Sequence, residues 1–374
     1  MNVLLVTMGL GIGGAETHIV ELAKGLKKKQ VNVIVVSNGG DYVKELEEAN
    51  IKHYNAPLNN KKLNNMRKSY KILKQIIENE KIDVVHGHAR IPSFICGALH
   101  KKMKFPFVTT AHWTFNTKNG LKYLTNWGEK TIAVSDDIKT YLLDNYKKVK
   151  AENITVTVNG IDTDKFSTNA KYEDILNEFN IDNNKKKIVY ISRLDESRAL
   201  VARQLINISE KLNEFDNNLE IVIVGGGDVF DELNQKANEV NAKVGKKLIT
   251  MVGPRSDIYK FANLGDMFIG VSRSALEAMA CEKPIIIAGN EGYIGIFDES
   301  KLDVGINTNF CCRDTIDSTE EILERDIKEL LSQDKETSEK MGIYNREVVM
   351  KYYSLERMVS DNFNVYKQIL SEKK

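Results

Sequence analysis

The most informative stretch of the chain is Ser272-Arg273-Ser274-Ala275-Leu276-Glu277-Ala278-Met279-Ala280-Cys281-Glu282-Lys283-Pro284. The apolar run Met267-Phe268-Ile269 precedes it, and a second apolar run, Ile285-Ile286-Ile287-Ala288, follows it. This order predicts a strand, a turn, a short helix and another strand, because a proline at position 284 marks a point where a helix has already ended.

The start of the predicted helix is a candidate binding site for a nucleotide diphosphate. We expect Glu277 in its first turn, beside backbone N–H groups that have no helical partner. Those N–H groups suit a phosphate, and the carboxylate suits the hydroxyl groups of a ribose. The residues expected to contact the nucleotide here are Ser272, Ser274, Ala275, Leu276 and Glu277. Acidic residues are common in first helical turns, so the alternative is that Glu277 is only a favourable charge near the helix dipole.

The length and composition indicate a globular protein of two domains. A chain of 374 residues is long for one hydrophobic core. No apolar run approaches the roughly 20 residues that span a bilayer. The segment Met1–Thr7 lacks the basic region of a signal peptide, so we expect a first strand there. The four cysteines show neither metal-ligand nor disulfide spacing, which favours a reducing cytoplasm.

The net charge of +1 hides an asymmetry along the chain. Residues 1–165 carry 25 Lys+Arg against 16 Asp+Glu, whereas residues 166–374 carry 28 against 36. A basic N-terminal half suits an anionic membrane surface or an acidic acceptor. The alternative is a solvated, lysine-rich surface without a partner. We expect no nucleic-acid partner.

Short apolar strands alternate with amphipathic helices along residues 1–166, which predicts a doubly wound domain whose parallel sheet is covered on both faces. The polar segment 167–186 is rich in Asn, Asp and Lys and is predicted to link two domains. The alternation resumes in residues 187–352, which predicts a second doubly wound domain. Residues 353–374 are predicted as a helix that packs back toward the N-terminal domain. Its expected apolar face is Met358, Phe363, Tyr366 and Ile369.

The run Gly9-Leu10-Gly11-Ile12-Gly13-Gly14 follows the first predicted strand and opens a helix. It satisfies the dinucleotide pattern G-x-G-x-x-G. That pattern also needs an acid at the end of the second strand, but Ser37-Asn38-Gly39 stands there and the next acid is Asp41. The simpler interpretation is that Gly13 and Gly14 let the backbone approach an anionic ligand.

From Gly13-Gly14-Ala15-Glu16 onward the chain resembles the GT-B glycosyltransferases, particularly glycosyltransferase family 4. The resemblance continues in chain order over nearly the whole sequence. The matching stretches are Val85-His86-Gly87-His88, Thr110-Ala111-His112, Ala133-Val134-Ser135, Val158-Asn159-Gly160-Ile161-Asp162-Thr163-Asp164-Lys165-Phe166, Ser192-Arg193-Leu194 and Leu276-Glu277-Ala278-Met279-Ala280. Each match alone is weak evidence for the family, whereas the whole set in this order is specific for it.

The resemblance implies two Rossmann-like domains that face each other across a cleft. It implies that Arg193 and Arg198, the latter at the family's lysine position, stabilise the leaving diphosphate. The alternative is that both arginines only pair with nearby acids, Asp195 and Glu196. The other roles that the resemblance implies are a contact of His112 with the donor sugar, ribose binding by Glu277, and a base pocket along Gly253-Pro254-Arg255.

We expect no metal ion in the reaction. His86, His88 and His112 suggest metal binding, but no cysteine or carboxylate cluster nearby completes a site. The neighbours of Asp162-Thr163-Asp164 match the metal-free loop of the family and not the Asp-x-Asp of metal-dependent transferases.

The sequence departs from the family at the loop Phe268–Arg273, which is shorter and lacks the first of two glutamates that contact the donor sugar. Glu291 or Arg273 stands in for it, or the contact is lost. This departure motivates an alternative, a non-catalytic nucleotide-sugar-binding relative or partner subunit. The other rival is a nicotinamide oxidoreductase built on the Gly9–Gly14 loop.

The function expected from the sequence is therefore a retaining, metal-independent glycosyltransferase without a cofactor. Its donor is a nucleotide-diphosphate sugar, with a UDP-sugar favoured, and its acceptor is a glycan, a glycolipid or another component of the cell envelope. We expect it in the cytoplasm, peripherally at the inner face of an anionic membrane.

Overall fold

The computed structural model describes residues 1–118 and 120–373. The chain folds into two compact units. The first consists of Met1–Gly160 with Leu355–Lys374, and the second of Ile161–Ser354. The second unit is therefore inserted into the sequence of the first.

In the described part of the first unit, the sheet is parallel throughout. Its strands are β1 (Asn2–Val6), β2 (Asn32–Ser37), β3 (Lys52–Asn55), β4 (Val84–His88), β5 (Phe107–Ala111), β6 (Lys130–Ala133) and β7 (Ile154–Val156), and their order in the sheet is β3-β2-β1-β4-β5-β6-β7. The order reverses between β1 and β4, and ligands of such sheets bind at the carboxyl ends of the strands beside this point.

Amphipathic helices cover this sheet because each connection between parallel strands must cross from one end of the sheet to the other. They are α1 (Gly14–Lys28), α2 (Val43–Glu48), α3 (Leu63–Asn79), α4 (Arg90–Met103) and α5 (Asp136–Asn145). The apolar stripe of α1 is buried at Ile19, Leu22, Ala23 and Leu26. One core lies between the sheet and α3 and α4, with Leu73, Ile76, Ile95 and Leu99 at its centre.

The second unit has strands β8 (Lys186–Ile191), β9 (Leu219–Val224), β10 (Ile249–Gly253), β11 (Met267–Gly270), β12 (Ile285–Gly289) and β13 (Gly292–Ile296). Within the described residues their order is β10-β9-β8-β11-β12-β13. The helices are α6 (Glu173–Phe179), α7 (Leu200–Phe215), α8 (Phe230–Val244), α9 (Ile258–Leu264), α10 (Ser272–Ala280), α11 (Leu302–Asn307), α12 (Glu320–Ser332) and α13 (Lys335–Tyr352). The two predicted Rossmann-like sheets are thus confirmed, with one addition. Strand β13 pairs antiparallel with β12 as a hairpin at the sheet edge.

The segment between residues 167 and 186, expected as a linker, is packed within the second unit. It contains α6, which ends at Asn180 in a left-handed conformation. The Asp182 N–H donates to Glu220 Oε2 at 2.9 Å, and Asn263 Nδ2 donates to the carbonyl of Thr168 at 3.2 Å. Its polar side chains and backbone therefore find partners in the fold.

The chain returns to the first unit as α14 (Leu355–Ser371), which packs against α1. A Cβ atom added at Gly25 of α1 would lie 2.2 Å from Val359 Cγ2, so only glycine permits this approach. Of the apolar face predicted from sequence, Met358, Tyr366 and Ile369 are buried and Phe363 is half-buried. Across the described residues, none of the helices has the length and apolar character needed to cross a membrane.

Candidate functional site

Candidate site residues in the first unit gather at the carboxyl edge of its sheet. His86 and His88 belong to β4, and His112 directly follows β5. These neighbouring strands are parallel, so their last residues come together at one edge. The sequence pattern could place these three residues but not His18, which α1 brings to the same cluster.

His86 is fixed inside the unit by two hydrogen bonds. Its Nδ1 lies 2.6 Å from the hydroxyl of Tyr366 on α14, and its Nε2 lies 2.7 Å from Thr110 Oγ1 on β5. Burial, together with repulsion from His112, lowers the pKa of His86 to about 3. The ring is therefore neutral at physiological pH, and its contacts are those of a structural residue.

His112 forms the open side of the cluster, and His88 lies behind it. His88 Nδ1 and His112 Nε2 are 3.0 Å apart, so the two rings share one proton in a hydrogen bond. Burial lowers the pKa of His88 well below its ordinary value and that of His112 to about 4. His112 is half-buried, whereas His88 is fully buried. A neutral, half-exposed His112 is available as a hydrogen-bonding group for a polar ligand.

The ring of His18 is oriented by the loop that follows β7. His18 Nδ1 lies 3.1 Å from Asn159 Oδ1. A carbonyl oxygen only accepts hydrogen bonds, so Nδ1 carries the proton in the neutral ring and Nε2 carries the lone pair. The His18 and His112 rings meet edge to face with their centroids 4.7 Å apart.

The glycine-rich loop after β1 leads directly into α1. Gly13 caps α1 in an extended conformation, and Gly14 is exposed. The loop is braced by the turn after β2, where the Leu10 N–H donates to the carbonyl of Gly39 at 2.8 Å. A Cβ at Gly40 would lie 2.3 Å from the backbone of Leu10, so this turn needs glycine.

In the second unit, Arg193 lies on the loop between β8 and α7. Its side chain is exposed and makes no ion pair with any residue that the structure describes. The loop is held by Leu194, which is fully buried and whose N–H donates to the carbonyl of Gly226 at 3.0 Å. A Cβ at Gly225 or at Gly227 would lie within 2.1 Å of a loop carbonyl oxygen, so both glycines are required.

Arg198 follows on the same loop and is about half-exposed. Its Nη1 lies 3.9 Å from Asp195 Oδ2, at the limit of an ion pair. Glu196 pairs instead with Arg203 at 2.8 Å. Neighbouring acids were the alternative partners of both arginines. Arg193 pairs with neither of them, and Arg198 has only the 3.9 Å contact with Asp195. Two guanidinium groups thus lie on one loop, which backbone hydrogen bonds hold against the neighbouring glycine turn.

The structure corrects the expected position of Glu277. Helix α10 begins at Ser272, so Glu277 lies in its second turn and not in the first. Its carboxylate is buried and accepts a hydrogen bond from Arg273 Nε at 2.8 Å. An arginine four residues earlier on one helix face thus reaches the glutamate directly, in a buried pair that needs good geometry to be stable.

Some of the groups that were expected to contact a phosphate at the start of α10 already have hydrogen-bond partners. Ser272 adopts a left-handed conformation, and its N–H donates to the carbonyl of Phe310 at 2.7 Å. The Ala275 N–H donates to the carbonyl of Val271, and Ser274 Oγ donates to the same oxygen. Ala275 and Leu276 have fully buried side chains. Fewer backbone donors are therefore open to a phosphate than the sequence suggested.

Arg255 is committed to partners inside the second unit. Its guanidinium pairs with Glu178 at 2.6 Å and with Asp257 at 2.8 Å, and it lies over the ring of Phe179. These carboxylates raise its pKa further above its ordinary value. The guanidinium that was expected to line a base pocket is therefore already occupied by these partners, and the neighbouring Gly253 has a positive φ.

Glu291 lies at the exposed tip of the β12–β13 hairpin, with a carboxylate oxygen 3.4 Å from Arg313 Nη1. The pairing of Arg273 with Glu277 and the presence of His18 in the cluster were not expected from the sequence. Both had a signal. Arg273 and Glu277 are spaced four residues apart, and His18 lies on the helix that the glycine-rich loop opens.

Two Rossmann-like units, each with candidate residues near the carboxyl edge of a parallel sheet, are the architecture of the GT-B fold. The model of the family Glycosyltransferase Family 4 matches residues 12–165, and the model of the family Glycosyl transferases group 1 matches residues 171–348. The chain therefore belongs to the group 1 glycosyltransferases, with an N-terminal part of the family 4 type.

Known proteins similar to this chain agree with that assignment. An uncharacterized glycosyltransferase of Methanocaldococcus jannaschii is 27% identical over 295 residues, which are 74% of this chain and 75% of the relative. The crystal structure of a glycosyltransferase from Rickettsia africae ESF-5 has 25% identity and a TM-score of 0.77, covering 99% of this chain and 98% of that one. Anabaena HepE in complex with UDP-glucose has the same fold, with 16% identity and a TM-score of 0.74 over 99% of this chain and 100% of that one.

Proposed function

We propose that this protein transfers a sugar from a nucleotide-diphosphate donor, with UDP-sugars preferred, to a glycan or glycolipid acceptor of the cell envelope. The transfer retains the anomeric configuration and needs no metal ion. The observation that carries the proposal is the exposed guanidinium of Arg193, without an ion pair among the described residues, on a loop that Leu194 and two obligatory glycines fix. A fixed cation without a carboxylate partner suits an anionic ligand.

Each candidate residue has a role in this reaction that follows from its chemistry. Breaking the bond between sugar and diphosphate leaves negative charge on the diphosphate, which Arg193 and Arg198 stabilise as it develops. Glu277 binds the ribose, with its carboxylate oriented by Arg273. His112 donates or accepts a hydrogen bond at the donor sugar. The loop at Gly13 and Gly14 allows the backbone to contact the substrates closely.

The choice of UDP is supported by HepE, a structural relative seen with UDP-glucose. The acceptor is proposed from charge. Residues 1–165 carry nine more basic than acidic side chains, 25 against 16, which favours a negatively charged acceptor or membrane surface near the first unit.

The Arg273–Glu277 pair favours a second candidate, a relative that binds nucleotide sugar without turnover. A glutamate neutralised by a buried arginine is a weaker acceptor for ribose hydroxyls, and the first family glutamate is missing. The nicotinamide alternative has no such support, because β2 ends at Ser37, whose hydroxyl lies 2.8 Å from His53 Nε2 in place of an acid that could bind a ribose.

The test is calorimetric titration of UDP, GDP and NAD into the wild type, followed by measurement of UDP released from UDP-sugars. We expect UDP to bind, and Arg193→Ala to lower turnover roughly 10²-fold to 10³-fold, the usual cost of removing one donor to a developing oxyanion. Arg67→Ala, an exposed arginine on α3, is the matched control and should change nothing. Binding without UDP release would favour the non-catalytic candidate. Unchanged turnover in both Arg193→Ala and Arg198→Ala would refute the proposed role of the loop.

A further inference from the structure

The histidine cluster of the first unit has a property that sugar transfer does not use. One ring nitrogen from each of His18, His88 and His112 lies within 4.8 Å of the other two. The three residues come from α1, β4 and the loop after β5, so they are far apart in sequence and meet only in the fold. We propose that these three histidines form a binding site for a single transition-metal ion, with Zn²⁺ as the best fit, and that occupation of this site inhibits the enzyme.

The geometry is close to that of a tetrahedral site. Two imidazole nitrogens bound to Zn²⁺ at about 2.0–2.1 Å lie roughly 3.4 Å apart in a tetrahedral arrangement. His88 Nδ1 and His112 Nε2 are already 3.0 Å apart. The widest separation in the group is at most 4.8 Å, so rotations of the side chains by about 1.4 Å at the ring nitrogens complete the three-sided arrangement. A water molecule would supply the fourth ligand, as in sites with three histidine ligands.

One of the three rings, that of His18, is held as a metal site requires. A metal-bound histidine usually donates its second ring N–H to a carbonyl or carboxylate oxygen, which fixes its orientation. His18 does so in advance, with Nδ1 3.1 Å from Asn159 Oδ1, and its lone pair is then on Nε2.

The ligand set also selects the kind of metal. All three members of the group are imidazoles, and imidazole nitrogen favours Zn²⁺, Co²⁺, Ni²⁺ and Cu²⁺ over the oxygen-seeking Mg²⁺ and Ca²⁺. His112 is half-buried, which gives a metal ion access from solvent.

The inhibitory effect rests on the proposed function, because it follows from the role of His112. A nitrogen that coordinates a metal ion is no longer free for a hydrogen bond to the donor sugar. Since transfer is proposed to need no metal, the bound ion blocks the reaction and does not assist it.

The binding test uses the full-length protein after treatment with EDTA and needs no turnover. Titration with Co²⁺ is followed by visible d–d absorption, and Zn²⁺ is then added in competition. We expect one Co²⁺ per chain, with the intense bands of four-coordinate cobalt, and complete displacement by Zn²⁺. His18→Ala should abolish these bands. Asn159→Ala keeps all three ligands and should weaken binding roughly 10-fold to 100-fold.

His53→Ala and His100→Ala are matched controls, because both histidines lie outside the cluster, and both variants should bind Co²⁺ like the wild type. Circular dichroism confirms that each variant is folded, and His18→Gln replaces His18→Ala if the latter is not. Weak octahedral bands in the wild type, or equal binding by His18→Ala and the wild type, would overturn the site. Metal binding without loss of UDP-sugar turnover would overturn the inhibition alone, and absence of turnover with intact metal binding would count against the proposed function and not against the site.

Discussion

Replacing Gly227 by alanine tests whether the backbone of the second unit holds Arg193 in place. The added Cβ would lie 2.1 Å from the carbonyl oxygen of Leu194, 2.3 Å from its carbonyl carbon and 2.6 Å from the Asp195 nitrogen. All three are backbone atoms, so no side-chain rotation relieves the contact. The loop must move by about 1.3 Å to reach the ordinary contact distance of 3.4 Å.

The cost can be worked out from the contacts that this movement strains. Overpacking of this kind costs about 1–3 kcal/mol. The movement also strains two backbone hydrogen bonds, Leu194 N–H to Gly226 at 3.0 Å and Val229 N–H to Leu194 at 3.1 Å, each worth about 1 kcal/mol. We expect the free energy of unfolding of the second unit to fall by roughly 3–5 kcal/mol. For a unit of this size the melting temperature should fall by roughly 10 °C.

The functional consequence is separate from the loss of stability. Arg193 moves with the loop, and a displacement of about 1 Å can cost 10²-fold in rate. We expect UDP-sugar turnover of the folded variant to fall by about that factor, measured well below its melting temperature. The control for the added methyl group is Gly11→Ala, where the nearest atom is 3.8 Å from the new Cβ and the melting temperature should not change. An unchanged melting temperature in Gly227→Ala would refute the packing argument. A lowered one with normal turnover would refute the positioning of Arg193.

Three further outcomes are expected from buried contacts. Tyr366→Phe leaves the buried Nδ1 of His86 without its partner, so the free energy of unfolding in urea titrations should fall by about 1–3 kcal/mol. Burial raises the pKa of Asp257, but the ion pair with Arg255 has the larger effect and holds that pKa below its usual value of 3.8. Arg255→Leu should therefore lower the melting temperature at pH 7. The difference in melting temperature between this variant and the wild type should narrow as the pH falls below about 4, where Asp257 becomes protonated. Burial raises the pKa of the Cys312 thiol to about 12, so a thiol reagent at pH 8 should modify it only after unfolding.

Each of these outcomes has a control. Tyr123→Phe alters a tyrosine that is 83% exposed and should leave stability unchanged. Arg67→Leu should show no pH-dependent difference from wild type. Rapid modification of the native protein by the thiol reagent, equal stability of Tyr366→Phe and wild type, or a constant difference for Arg255→Leu across the pH range would contradict the respective argument.

The fold could be predicted from the sequence largely because alternating apolar strands and amphipathic helices are local signals. The sheet order and the membership of residues 167–186 in the second unit depend on contacts such as that of Asp182 with Glu220, which no local pattern reveals. The antiparallel strand β13 was missed because its apolar residues follow those of β12 after a turn of two residues.

The candidate site was predictable where residues follow a strand, as with His112 and Arg193. The prediction for Glu277 was wrong, because it depended on knowing the start of a helix to within one turn. Helix α10 has no side-chain N-cap, and its first residue, Ser272, is left-handed, so no local signal marks Glu277 as a residue of the second turn. Local sequence patterns also do not reveal the ion pair of Arg255 with Glu178, because the two residues are 77 positions apart in the sequence.

The insertion of the second unit into the first sets an order for biosynthesis. A ribosome completes residues 161–354 before it makes α14, which supplies Val359 against α1 and Tyr366 against His86. At roughly 5–20 residues per second, the sheet of the first unit waits about 10–40 s for its last helix. During that time the face of α1 around Gly25, which α14 later covers, is accessible to chaperones. Nascent chains released before Leu355 would carry a folded second unit beside an incomplete first one, and proteases would remove the first one selectively.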